Sequence, residues 1–181
     1  MATHLALLRG INVGGNNPIK MADLRACFEE DGFGSVSTYI QSGNVLFDAG
    51  RVAAGELTQR VERILRGTFH HYEASVVIRS RTQLRAIVGR APRGFGAEPD
   101  RYRYDVIFLK HPLTATRAMQ SVLVREAVDT VHAGTGVLYA SRLVSRLTQS
   151  RLSRLASMPV YQDMTIRNWN TTTKLLALME A

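Results

Sequence analysis

In the segment LRGINVGGNNPIK, residues 8–20, a hydrophobic stretch stops at Gly10. Asn12, Gly14, Gly15 and two further asparagines follow before a helical pattern begins, with Arg9 and Lys20 bracketing the turn. Glycine backbone with free amides, a helix start and two cations are the components of a phosphate or carboxylate site. The spacing matches neither G-x-G-x-x-G nor GxxxxGK[ST], so neither a dinucleotide fingerprint nor a P-loop is present. The same residues also suit a plain tight turn, with glycines supplying positive φ and asparagines satisfying backbone groups.

Topology decides what else stands near this loop. A strand at 3–10, a helix at 20–31 and a strand at 36–41 make one crossover, so the two strands run parallel. SVSTYIQSGNVLFDA reads as a tight hairpin around Ser42-Gly43, with its return strand at 44–48. GINVGGN and QSGN are then expected at one edge, together with Lys20, His70 and His71. The expected ligand there is a phosphate-bearing or otherwise anionic small molecule held by Arg9, Asn12, Gly14, Gly15, Lys20, Gln41, Ser42 and Asn44. Arg9 and Lys20 would neutralise it, glycine amides would donate hydrogen bonds, and asparagines would orient it. TIRNWNTTTK near the C-terminal end offers a second helix start, with Asn168 or Asn170 as its cap. Arg167, Asn168 and Asn170 are the residues expected to complete the site, and Trp169 is expected in the core.

Other catalytic chemistry finds little support. Adjacent His70 and His71 in an extended segment point to opposite faces, so no metal site is assigned. His4, His111 and His132 are scattered. Ser42-Gly43 lies in a hairpin turn rather than a nucleophile elbow. Asp48, Asp105 and Asp163 show no paired-carboxylate spacing. Cys27, the one cysteine, falls on the apolar face of MADLRACFEE with Met21, Leu24 and Phe28, and reads as a small buried hydrophobe. No general base is identified, no cofactor is assigned, and enzymatic activity stays open.

The positioning elements continue with a helix from Gly55 to Phe69, whose stripe is Leu57, Val61, Ile64 and Leu65. ASVVIRS is a strand, and Ser80 with Gln83 forms a capping box opening a short helix that ends at Gly89. The order βαββαβ is the split-βαβ, ferredoxin-like unit. Residues 90–102, with two prolines and two glycines, read as a linker. The second half follows the same plan less cleanly, with no convincing residue-level repeat. It holds a strand at YDVIFL, a helix from Thr114 to Val122, and a hairpin of Val128 to His132 with Val137 to Ser141. A helix near Ser150 to Ser157, a weak strand at QDMTI and a closing helix NTTTKLLALMEA complete it. The expected fold is α+β, two consecutive ferredoxin-like subdomains at 1–89 and 103–181.

LLRGINVGGNNPIKMADLR, TYIQSGNVLF and MTIRNWNTTTKL, in this order, resemble the bacterial family catalogued as domain of unknown function 1697. The resemblance spans nearly the whole chain. It implies two α+β subdomains, the first ferredoxin-like, and carries no catalytic role to any residue.

The chain of 181 residues has a net charge of +8 and a pI near 10.2, which favours acidic partners or reflects an arginine-rich composition. SRLVSRLTQSRLSRL reads as a basic face over a leucine stripe. Weak nucleic-acid binding is the alternative function. It is disfavoured in the RNA-recognition mode, because the central strands LALLRG and NVLFD carry Phe47 as their one aromatic. A protein–protein module without a ligand is the third. No stretch reaches the length of a membrane span and no signal peptide is evident, so the cytoplasm is the expected location.

Overall fold

The computed structural model describes residues 1–181. It divides into two compact units, one of Met1–Arg85 with Leu175–Ala181, the other of Ala86–Lys174.

In the first unit, β1 (His4–Leu8), α1 (Met21–Glu30), β2 (Gly34–Tyr39), β3 (Asn44–Asp48), α2 (Ala54–Thr68) and β4 (Val76–Ser80) follow in order, and α3 (Arg81–Gly89) begins. The sheet order is β2-β3-β1-β4, with every neighbouring pair antiparallel. β1 and β2 therefore run parallel, as the crossover requires, but β3 lies between them. Strand alternation puts Ala6, Leu8, Val45, Phe47 and Val76 on one face, where they pack into a core with Leu24, Cys27 and Phe28 of α1 and Leu57, Val61 and Leu65 of α2. Phe28, Phe33 and Phe47 meet edge to face or tilted at 4.9–5.6 Å between centroids. The opposite face carries Leu5, Leu7, Leu46 and Val77, all buried. The α3 start is fixed as the sequence suggested: Ser80 N–H donates to Gln83 Oε1 at 2.9 Å, and Gln83 N–H to Ser80 Oγ at 3.2 Å.

The second unit repeats this topology. β5 (Tyr102–Leu109), α4 (Ala115–Ser121), β6 (Asp129–Gly134), β7 (Val137–Leu143) and β8 (Met164–Asn168) form a sheet of order β6-β7-β5-β8, again antiparallel throughout. α5 (Trp169–Glu180) closes the chain. Ile107, Leu109, Leu138, Ala140 and Met164 pack against Ala118 of α4 and against Leu152 and Leu155. The segment 90–101 is a run of turns, whose Phe95 packs edge to face on Tyr104, Tyr139 and Trp169.

Two local expectations are corrected. The helix expected near Ser150 to Ser157 is instead a series of 3₁₀ segments, Val144–Gln149, Leu152–Ser157 and Pro159–Asp163. Serine hydroxyls compete for the backbone there: Ser153 and Ser157 donate to the carbonyls three residues earlier, and Ser150 Oγ accepts the Leu152 amide. Trp169, expected in the core, is half-buried at the start of α5. Its indole rests against Gly96, so closely that a Cβ at that position would overlap the Nε1 and Cδ1 atoms.

The topological repeat has a short residue-level trace. Arg79 pairs in register with Leu5, and Arg167 with Val106, at equivalent places on the fourth strand of each sheet. Each guanidinium donates through Nη1 to the preceding carbonyl at 2.9 Å. Ile78-Arg79-Ser80 and Ile166-Arg167-Asn168 are thus two copies of one strand end, each finishing in the cap of the next helix. Burial pushes Arg79 down to about 10, which leaves it charged at neutral pH.

Candidate functional site

The loop between β1 and α1 is a small hairpin. Gly14 and Gly15 occupy its tip with φ of 58° and 80°, as a type I′ turn demands. Asn16 N–H donates to Val13 O at 2.9 Å, and Asn12 N–H to Asn17 O at 3.1 Å. Asn12, at φ 52°, ties the loop to its neighbours. Its Nδ2 donates to Ile19 O and to Gln41 O, both at 2.9 Å, and its Oδ1 accepts the Ile19 amide at 2.8 Å. The β1 loop and the hairpin turn 40–43 are therefore neighbours. Leu8 N–H also donates to Gly43 O at 2.8 Å.

The asparagines act within the protein. Asn12 uses both ends of its amide on backbone, Asn17 donates to Gly10 O, and buried Asn44 donates to Tyr39 O and Ser42 Oγ. The side chains of Lys20 and Gln41 are exposed beside them. Lys20 is the N-cap residue of α1, and no side chain caps that helix. The first-turn amides of α1 thus open beside a lysine, where the macrodipole favours an anion. Arg9 is half-buried at the end of β1, its amide donating to Ser75 O and its carbonyl accepting the Tyr72 hydroxyl at 2.7 Å. His71 Nε2 lies 3.3 Å from Pro18 O, while His70 is exposed.

Arg167, Asn168 and Asn170 belong to the other unit. Arg167 is buried. Asn168 Oδ1 accepts the Thr171 amide at 2.7 Å, so Asn168 rather than Asn170 caps α5. Asn168 and Asn170 also line a cleft of about 270 Å³ with Tyr102, Tyr104 and Trp169, which the motif reading missed. The signal was the i, i+2 spacing in YRYD, which aims both tyrosines at one face of β5.

Cys27 is buried, with Sγ 3.3 Å from Thr68 Oγ1, and burial raises its pKa. That is the inert small hydrophobe expected of it. No helix is long and apolar enough to cross a membrane.

Two ferredoxin-like units, one carrying an open helix start beside a glycine hairpin, define the class: an α+β protein with a duplicated topology. The chain belongs to the family described as "Protein of unknown function (DUF1697)", whose model matches residues 1–139. The conserved bacterial protein SP0830 from Streptococcus pneumoniae has a similar structure, with 23% identity, a TM-score of 0.83 and coverage of 100% of both chains. That likeness is one of fold. No curated protein matches the chain.

Proposed function

We propose that the protein binds a phosphate-bearing or otherwise anionic small molecule at the edge where the Gly14-Gly15 hairpin, the 40–43 turn and the start of α1 meet. The carrying observation is the N-terminus of α1, uncapped by any side chain, with exposed Lys20 at its mouth. Lys20 and Arg9 supply positive charge, and the Gly14, Gly15 and first-turn amides supply directional donors. Asn12 ties the two loops together, Asn44 and Ser42 brace the 40–43 turn, and Gln41 lies exposed at the rim.

A thermal-shift panel of nucleotides, sugar phosphates and acyl phosphates tests the reading. A ligand at 100 times its Kd stabilises a fold by about 2.7 kcal/mol. For a protein of this size, that raises Tm by roughly 5–10 °C. Lys20→Ala and Arg9→Ala should remove the shift. A panel without a single shifting compound, or a shift that survives Lys20→Ala, refutes the site.

A further inference from the structure

The +8 charge is unevenly divided. Residues 86–174 hold thirteen lysines and arginines against six acidic residues; the other unit holds ten against nine. Nearly all the positive charge therefore lies in the second unit.

That unit also sets two half-buried tyrosine rings side by side on its sheet. Tyr102 and Tyr104 project from the same face of β5, one of the two central strands, with centroids 6.0 Å apart. They form a ridge between two recesses. The 270 Å³ cleft lies toward Trp169, and a second recess of about 180 Å³ lies toward Phe95, Arg93 and His132. The Arg101 guanidinium stands 5.2 Å from the Tyr102 ring centroid, and the Arg103 position lines the larger cleft.

We propose that this face binds single-stranded nucleic acid, with consecutive bases stacked against the Tyr102–Tyr104 ridge and the backbone drawn along the neighbouring arginines. Two recesses sharing one aromatic ridge suit two linked bases better than one free nucleotide. A planar base meets tyrosine without hydrogen-bond readout, so binding is sequence-tolerant. Phosphate contacts make it salt-dependent, with a slope of about 0.7 per contact on a single strand. The site is independent of the anion edge of the first unit.

Trp169 is the one tryptophan of the chain and lines the larger cleft, so its fluorescence reports occupancy directly. The experiment titrates the full chain with a short oligouridylate, UMP and ribose 5-phosphate. The oligonucleotide should change Trp169 emission at the lowest concentration, UMP should act far more weakly, and ribose 5-phosphate not at all. Tyr102→Ala should weaken oligonucleotide binding about 5- to 150-fold, the equivalent of one stacked base at about 1–3 kcal/mol, while Tyr102→Phe binds as the parent does. Arg101→Ala should lower the salt slope by about 0.7, the loss of one phosphate contact. An unchanged Tm in the tyrosine variants establishes that the fold is intact. Should Tyr102→Ala unfold the protein, Tyr102→Ser and Tyr104→Ser read the same loss. UMP bound as tightly as the oligonucleotide overturns the strand. Ribose 5-phosphate bound as tightly overturns base stacking, and no emission change at millimolar oligonucleotide overturns the site.

Discussion

Gly43→Ala separates the glycines that build the fold from those that face solvent. Gly43 has φ +79°, and a Cβ there would stand 2.8 Å from Leu8 Cβ and 2.7 Å from Ile11 Cδ1. Leu8 is fixed in the central strand and Ile11 is buried, so neither yields cheaply. The left-handed backbone costs about 1–2 kcal/mol for a residue with a Cβ, and forcing a methyl into a packed contact adds about 1–3 kcal/mol. The expected loss is about 2–5 kcal/mol, or roughly 4–20 °C in Tm. Gly15→Ala is the matched control: its φ is +80°, but nothing lies within 4 Å of the added Cβ. It should lose only about 1–2 kcal/mol. Paired thermal and urea melts of the two variants make the measurement. Equal stability of Gly43→Ala and Gly15→Ala would refute the packing reasoning, because the backbone term is common to both.

Asn168→Ala removes the α5 cap and should lower stability by about 0.5–2 kcal/mol in a urea melt, with Asp in its place nearly neutral. Met179, fully buried, should cost about 2–5 kcal/mol on truncation to alanine. Gly96→Ala, at φ +86°, must displace the Trp169 indole, so the Trp169 emission maximum should shift and stability should fall by at least about 1–2 kcal/mol. Burial holds His4 below 6.5 against the opposing pull of Asp48. The folded protein therefore resists protonation there, and this contribution is present above pH 6.5 and lost as pH falls below it. Asp48 is held low by the Thr3 hydroxyl and the Gly50 amide, so its contribution is present above pH 3.8 and is lost only in stronger acid. Tm measured from neutral to acid pH should fall in two stages, and His4→Gln should flatten the first.

Much of the architecture was legible because local signals agreed with one another. The Ser80–Gln83 box and the Ser42-Gly43 hairpin each have one physical solution, and the crossover rule then placed the β1 loop beside the hairpin turn. Roles within that edge were less legible. An asparagine amide serves a backbone or a ligand equally well, and the sequence carries no sign of the double donation of Asn12 to Ile19 and Gln41. The serine-rich 145–157 segment kept its leucine spacing but not its helix, since hydroxyl-to-carbonyl bonds carry no periodicity of their own. The repeat of Ile-Arg before a helix cap is too short to see without strand register. The first sheet turns Phe47 into the core, whereas the second carries Tyr102 and Tyr104 side by side on β5.

The first unit is not contiguous in the chain: it takes in Leu175–Ala181, whose Leu175 and Met179 are fully buried. During synthesis, residues 1–85 leave the ribosome long before the segment that completes them. At about 5–20 residues per second the interval across the intervening 89 residues is roughly 4–18 s. Through that interval the nascent first unit lacks its last apolar side chains, while the second unit has every residue it needs in one stretch. Maturation is therefore expected to run against the direction of translation, with the later half settling first and the earlier half finished by the final helical turns. A stalled nascent chain ending at Lys174 should accordingly be more open to protease within residues 1–85 than the released protein.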